Sequence, residues 1–154
     1  MSTYPKHALI LAGSRGPTDP VAQSKGLPHK ALVPVDEVPM LERVVGTLFA
    51  SDGIDHIILS TDNALAEHGF GPVLAKEIEA GRITLATPRK SPSESVAHIL
   101  EAMPGCADFP LLITTADHPL LTVPMVKHFC DRARGNADLV IGLAEAEVIS
   151  GRYP

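Results

Sequence analysis

The sequence predicts a three-layer α/β/α domain built around a mainly parallel sheet. Three observations carry that prediction. Short apolar runs alternate with helix-like segments along nearly the whole chain, the pattern of βαβ units with right-handed crossovers. The apolar runs are continuous rather than alternating, as in strands covered on both faces. The 154 residues, 45% hydrophobic and 20% charged, suit one globular domain with a substantial core.

Residues 7–12, His-Ala-Leu-Ile-Leu-Ala, read as a first buried strand. Residues 39–50 read as a helix, because Leu41, Val44, Val45, Leu48 and Phe49 fall on one stripe. Pro39 suits its first turn and Gly53 can close its end. Residues 56–60 form a second strand, residues 63–68 and 71–80 one or two short helices, and residues 82–86 a third strand. Ser91-Pro92-Ser93-Glu94 has the form of a capping box, opening a helix that buries Val96, Ile99, Leu100 and Met103. Residues 111–115 make a fourth strand. Thr122 then caps a helix running to about Arg134, ended by Gly135. The apolar run at 138–142 is read as a fifth strand.

Composition narrows the function classes. A formal net charge of −5 argues against a nucleic acid as the main partner, yet leaves room for a small phosphorylated ligand held by a few local cations. No apolar run has membrane-spanning length, and residues 1–7 carry no signal-peptide pattern. Cys106 and Cys130 form neither a disulfide framework nor a C-x-x-C pair, so both read as reduced thiols of a cytoplasmic protein.

In open α/β sheets ligands sit outside the carboxyl ends of the strands. Two loops therefore matter first. The loop after the first strand runs from Gly13 to the apolar segment 31–35, far longer than a chain reversal needs. Gly13 and Gly16 flank Ser14 and Arg15, a turn whose free amides can nest phosphate oxygens while Arg15 adds a charged fork. The spacing is neither a Walker A loop nor a dinucleotide fingerprint, and a plain surface turn fits it equally well. Lys30, just before the apolar segment 31–35, stands where a fixed point charge can meet a polyphosphate; Lys25, in a more flexible stretch, is its rival. In the second loop, Asp117 follows the fourth strand directly and is held by Pro119. A carboxylate there either anchors Mg²⁺, which commonly uses one or two carboxylates plus substrate phosphates, or caps a turn.

These residues together resemble a known family. Leu11-Ala-Gly-Ser-Arg-Gly16, Pro28-His-Lys30-Ala-Leu-Val-Pro-Val35, Val38-Pro-Met-Leu-Glu-Arg-Val-Val45 and Thr114-Thr-Ala-Asp117-His-Pro119 match, in order, the signature of MobA-like nucleotidyltransferases, relatives of the sugar-nucleotide pyrophosphorylases. The resemblance implies a Rossmann-like sheet of the nucleotide-diphospho-sugar transferase type in a single domain over residues 1–154. It implies transfer of a nucleotidyl group from a nucleoside triphosphate to a phosphorylated small-molecule acceptor, with release of pyrophosphate. Ala12, Gly13, Ser14, Arg15 and Gly16 would cradle the triphosphate, Lys30 would neutralise its phosphates, and Asp117 would hold Mg²⁺. Ser93 and Ser95 would match the segment that contacts the base, although both also suit a helix start.

The chain departs from the family pattern in two ways. Gly-Ser-Arg-Gly stands where Gly-x-Gly-x-Arg is usual. Family members also run on past the fifth strand, supplying a second metal-binding aspartate and much of the acceptor pocket. The expectation is a domain truncated at its C-terminus, holding half of an active site. Two alternatives stay open: an inactive nucleotide-binding or regulatory module, and a glycosyltransferase-like enzyme using a nucleotide sugar. The latter typically carries an Asp-x-Asp pair, and Thr115-Ala-Asp117 offers one aspartate. The seven histidines receive no catalytic role, though His29 and His118 flank the two key residues.

Overall fold

The structure, a computed structural model, describes residues 4–13, 19–103, 105, 110–135 and 137–152. Its centre is β1 (His7–Ala12), flanked by β4 (His56–Thr61) on one side and β6 (Leu111–Thr115) on the other, with β5 (Ile83–Ala86) outside β4. All pairings in this four-stranded sheet are parallel, with His7 opposite both His56 and Leu111.

Alternate residues of the central strands go to opposite layers, as the pleat requires. Ala8, Ile10 and Ala12 of β1 and Ile57 and Leu59 of β4 enter the larger core. That core is closed by α2 (Met40–Phe49), α4 (Pro72–Glu79) and α6 (Val123–Arg132), which contribute Val44, Leu48, Leu74, Val126 and Cys130. Leu9 and Ile58 face the other way and meet Ile99 of α5 (Pro92–Ala102). This is the three-layer arrangement the apolar runs predict. Cys130 is a buried free thiol, whose ionisation burial opposes; Cys106 lies outside the described residues.

Caps set the helix boundaries. Ser91 accepts from the Glu94 amide at 3.2 Å with Pro92 opening α5, and Thr122 accepts from the Met125 amide at 3.4 Å. Asp62 caps α3 (Asn63–His68) through the Leu65 amide. Pro39 lies one residue before α2 and belongs to a small hairpin instead of the first helical turn. Among the described residues no helix is long and apolar enough to cross a membrane.

The connection from β1 to α2, read from sequence as one long loop, contains several short elements. Asp19 caps α1 (Pro20–Ser24) by accepting from the Val21 and Ala22 amides. A 3₁₀ turn (Lys30–Leu32) follows, then the two-residue antiparallel strands β2 (Pro34–Val35) and β3 (Val38–Pro39). The apolar segment 31–35 is therefore no strand of the main sheet. The two hairpin residues, Asp36 and Glu37, have φ of 51° and 66°, the left-handed pattern of a tight hairpin turn. Glutamate gains nothing there, whereas glycine adopts that conformation freely. Glu37→Gly is expected to stabilise the fold by about 0.5–1 kcal/mol, read as a higher urea midpoint with unchanged m-value.

The fifth strand does not form. Residues 138–142 have no regular structure, and Leu139 and Ile141 are 73% and 66% exposed. A strand needs a neighbour for its backbone N–H and C=O groups, and an apolar run reads the same with or without one. In the described sheet β6 stays an edge. The chain instead continues into α7 (Ala146–Arg152), which no sequence pattern singled out.

A histidine pair marks the other end of the sheet. The rings of His7 and His56 meet edge to face at 5.8 Å, and His56 Nε2 lies 3.0 Å from Thr84 Oγ1. Burial, reinforced by the neighbouring His7, holds His56 below the usual histidine value of 6.5. The unfolded chain therefore binds more protons in the window just below pH 6.5, so stability falls as pH drops through it. Melting temperature should decline as pH is lowered from 7 through 6.5 and below, and His56→Asn should flatten that slope.

Candidate active site

The carboxyl ends of β1, β4 and β6 open into a cleft of about 540 Å³. Leu11, Ala12 and Gly13 form its floor at the end of β1, and Ser60 lines it from β4. Thr115, Ala116 and Asp117 enter from the end of β6, where the Ala116 amide extends the ladder by donating to the Leu11 carbonyl at 3.0 Å. Residues 29–31 and 88–92 supply the walls.

Lys30 and Asp117 meet across this cleft, Nζ to Oδ2 at 2.7 Å. They come from the connections after β1 and β6, and 87 positions separate them in sequence. Hydrogen bonds from Lys30 and, second, Thr115 hold the Asp117 carboxyl below the usual carboxylate range, against the opposing effect of burial. With Lys30 36% and Asp117 42% exposed, the pair contributes only about 0–1 kcal/mol to stability. Its importance lies in what it brings together: a cation and a carboxylate at the mouth of a strand-end crevice. The loop after Asp117 is pinned by a hydrogen bond from Thr47 of α2 to the Leu121 carbonyl.

The other predicted residues divide. Ala12 and Gly13 line the cleft. Gly13 has no left-handed φ, and a Cβ there would meet Pro88 Cβ at an ordinary 3.9 Å. Glycine is therefore not required here by a positive φ, and close approach of a ligand is the remaining reason for it. Ser14, Arg15 and Gly16 lie outside the described residues. Ser95 is buried at the cleft wall, and its hydroxyl is used within the protein: it accepts from the Arg89 amide at 2.8 Å and donates to the Ser91 carbonyl at 3.0 Å. That serine shapes the 88–92 loop rather than offering a free hydroxyl. Ser93 is exposed on the first turn of α5, 3.1 Å from the Ser91 hydroxyl, and does not line the cleft. Both serines stand at the start of α5, behind the capping Ser91, which is the other placement left open for them. His29 lines the cleft and His118 does not.

Two cations escaped the sequence reading. Arg89 and Lys90 line the same cleft as Lys30, and the Arg89 guanidinium rests against the His98 ring, 2.8 Å from Nε2. The available signal was an Arg-Lys pair between the end of a strand and a capping box. The lining then includes three cationic residues and one carboxylate, in a chain of formal charge −5, a balance that favours an anionic ligand. Among the described residues no group of three His, Cys, Asp or Glu side chains gathers to hold a metal ion. A single carboxylate still suits Mg²⁺ bound chiefly through water and substrate phosphates.

Comparison with solved structures agrees with the architecture. The chain is similar to a CMP:2-keto-3-deoxy-manno-octonic acid synthetase complexed with CTP, with a TM-score of 0.52 and 14% identity over 83% of this chain and 46% of that one. It is also similar to the 4-diphosphocytidyl-2C-methyl-D-erythritol synthase of Anaerococcus prevotii, with a TM-score of 0.58 and 16% identity over 92% and 59% of the two chains. A further 4-diphosphocytidyl-2C-methyl-D-erythritol synthase gives a TM-score of 0.59 and 13% identity over 95% and 66%. At such identities the likeness shows a shared fold, and the chain spans about half to two thirds of the length of these proteins. No curated protein sequence matches it. The MobA-like NTP transferase domain, however, matches residues 8–149, from β1 through the cleft to α7, and the chain belongs to that family.

Proposed function

We propose that the cleft binds a nucleoside triphosphate and that the protein transfers its nucleotidyl group to a phosphorylated small molecule. The observation that carries this reading is the Lys30–Asp117 pair at the carboxyl ends of β1 and β6. A phosphate oxygen of the acceptor forms a bond to the α-phosphorus, the bond from that phosphorus to the bridging oxygen breaks, and pyrophosphate leaves with the electron pair. Little covalent chemistry falls to the protein, so positioning and charge neutralisation lower the barrier.

Ala12 and Gly13, with Ser14, Arg15 and Gly16, are proposed to cradle the phosphates through backbone amides. Lys30 then exchanges Asp117 for the triphosphate and offsets charge as it moves toward the leaving group. Arg89 and Lys90, which line the same cleft, add positive potential. Asp117, released from Lys30, is the residue that would hold Mg²⁺, which when bound supplies charge neutralisation and orientation at the phosphates.

The test is titration of the protein with CTP, GTP, ATP and UTP, each with Mg²⁺, followed by pyrophosphate release across a panel of sugar and polyol phosphates. CTP comes first, since one structural neighbour was solved with it. Binding with release supports the reading. Binding without release across the panel supports an inactive nucleotide-binding module, turnover of a nucleotide sugar alone a glycosyltransferase-like enzyme. Absence of triphosphate binding contradicts the proposal.

A further inference from the structure

We propose that His29 is a positioning residue that sets the Lys30 ammonium in the cleft. The inference rests on the reading of Lys30 as a phosphate ligand. His29 is 3% exposed and directly precedes the 3₁₀ turn that begins at Lys30. Its backbone is extended, with φ −147° and ψ 139°, and its ring occupies the place where serine or aspartate normally caps a helix. Nδ1 accepts from the Ala31 amide at 3.0 Å, so the ring carries its proton on Nε2.

That Nε2 has no hydrogen-bond partner and no contact with solvent, and its neighbour is the Asp62 carboxylate at 3.7 Å. Asp62 in turn caps α3 at the end of β4. The imidazole thus bridges two loops: one edge ties the turn bearing Lys30, and the other is drawn electrostatically to the strand-end carboxylate. His29 lines the cleft, but its Nδ1 is taken by the Ala31 amide and its Nε2 is closed to solvent, so neither ring nitrogen is open to a ligand. The ring acts through Lys30, whose Nζ reaches Asp117 at 2.7 Å. A short turn of three residues has little stability of its own, so losing the cap frees the lysine backbone.

The experiment is a double-mutant cycle on triphosphate affinity, measured calorimetrically with CTP, GTP, ATP and UTP in the presence of Mg²⁺. His29→Ala is expected to weaken the tightest-binding triphosphate by roughly ten-fold, as expected when a charged group is displaced without being removed. His29→Asn, which keeps a capping oxygen, should stay within about three-fold of the parent. In a Lys30→Ala background, His29→Ala should cost nothing more. Melting curves of each variant, and hydrogen exchange at the Ala31 amide, identify any variant that has lost its fold. His29→Asn is the reference if His29→Ala unfolds, since full affinity in the folded asparagine variant still supports the capping role. Equal further losses from His29→Ala in both backgrounds overturn the inference, and so does a folded His29→Asn as impaired as the alanine variant. If the parent binds no triphosphate, or Lys30→Ala binds as the parent does, the reading of the site itself fails and takes this one with it.

Discussion

Lys30→Ala is expected to lower kcat for nucleotidyl transfer by about 10²–10³-fold, the cost of removing one pre-placed electrostatic stabiliser from a transition state. KM for the triphosphate should rise less than kcat falls, because charge on the phosphates grows as pyrophosphate begins to leave. Thermal stability should barely move, since the Lys30–Asp117 pair is partly exposed and worth at most about 1 kcal/mol to the fold. Steady-state kinetics and a melting curve on the same preparation separate the two effects. A variant that turns over like the parent would remove Lys30 from the mechanism.

Ile10→Ala should cost about 2–5 kcal/mol in unfolding free energy, the range for opening a cavity in a packed core. Ile10 is fully buried on the central strand, between β4 and β6, in the larger core. Leu139→Ala, by contrast, should stay within about 0.5 kcal/mol, because Leu139 is 73% exposed and packs in no strand. Urea unfolding of both variants makes the comparison. A large cost at Leu139 would put the apolar run 138–142 back into a packed layer.

That contrast also shows how far the sequence was legible. The runs at 7–12 and 56–60 identified β1 and β4 because burial on both faces keeps their central residues apolar, and Ser91 and Thr122 marked helix starts through cap chemistry that acts within one turn. The run at 138–142 has the same local character, but strand formation depends on a partner edge, which is a property of the fold and not of the segment. Residues 31–35 misled similarly: the apolar side chains of Ala31 and Val33 are buried, but they are carried by a 3₁₀ turn and its flank and not by a strand of the main sheet.

The site divides along the same line. Lys30 and Asp117 were identifiable because each stands beside a strand-like or strand-end segment, and their meeting follows from β1 and β6 being neighbours. Arg89 and Lys90 were not, since they reach the cleft by a loop that Ser95 pins from within α5. Ser93 and Ser95 part company in the structure, Ser93 exposed and Ser95 at the cleft wall. Two serines in one helical turn look alike in sequence, yet the helix sends only Ser95 inward. His29 stood beside Lys30 in the sequence, but its burial and its bond to Ala31 emerge only once the connection folds into short turns.

The central claim is that a triphosphate occupies the space between Lys30 and Asp117. A crystal structure with CTP and Mg²⁺, or whichever nucleotide binds most tightly, tests it most directly. The account predicts phosphate oxygens within hydrogen-bonding distance of Lys30 Nζ and the 2.7 Å contact to Asp117 opened to admit them. A nucleotide bound away from the ends of β1 and β6, with Lys30 still paired to Asp117, would contradict it.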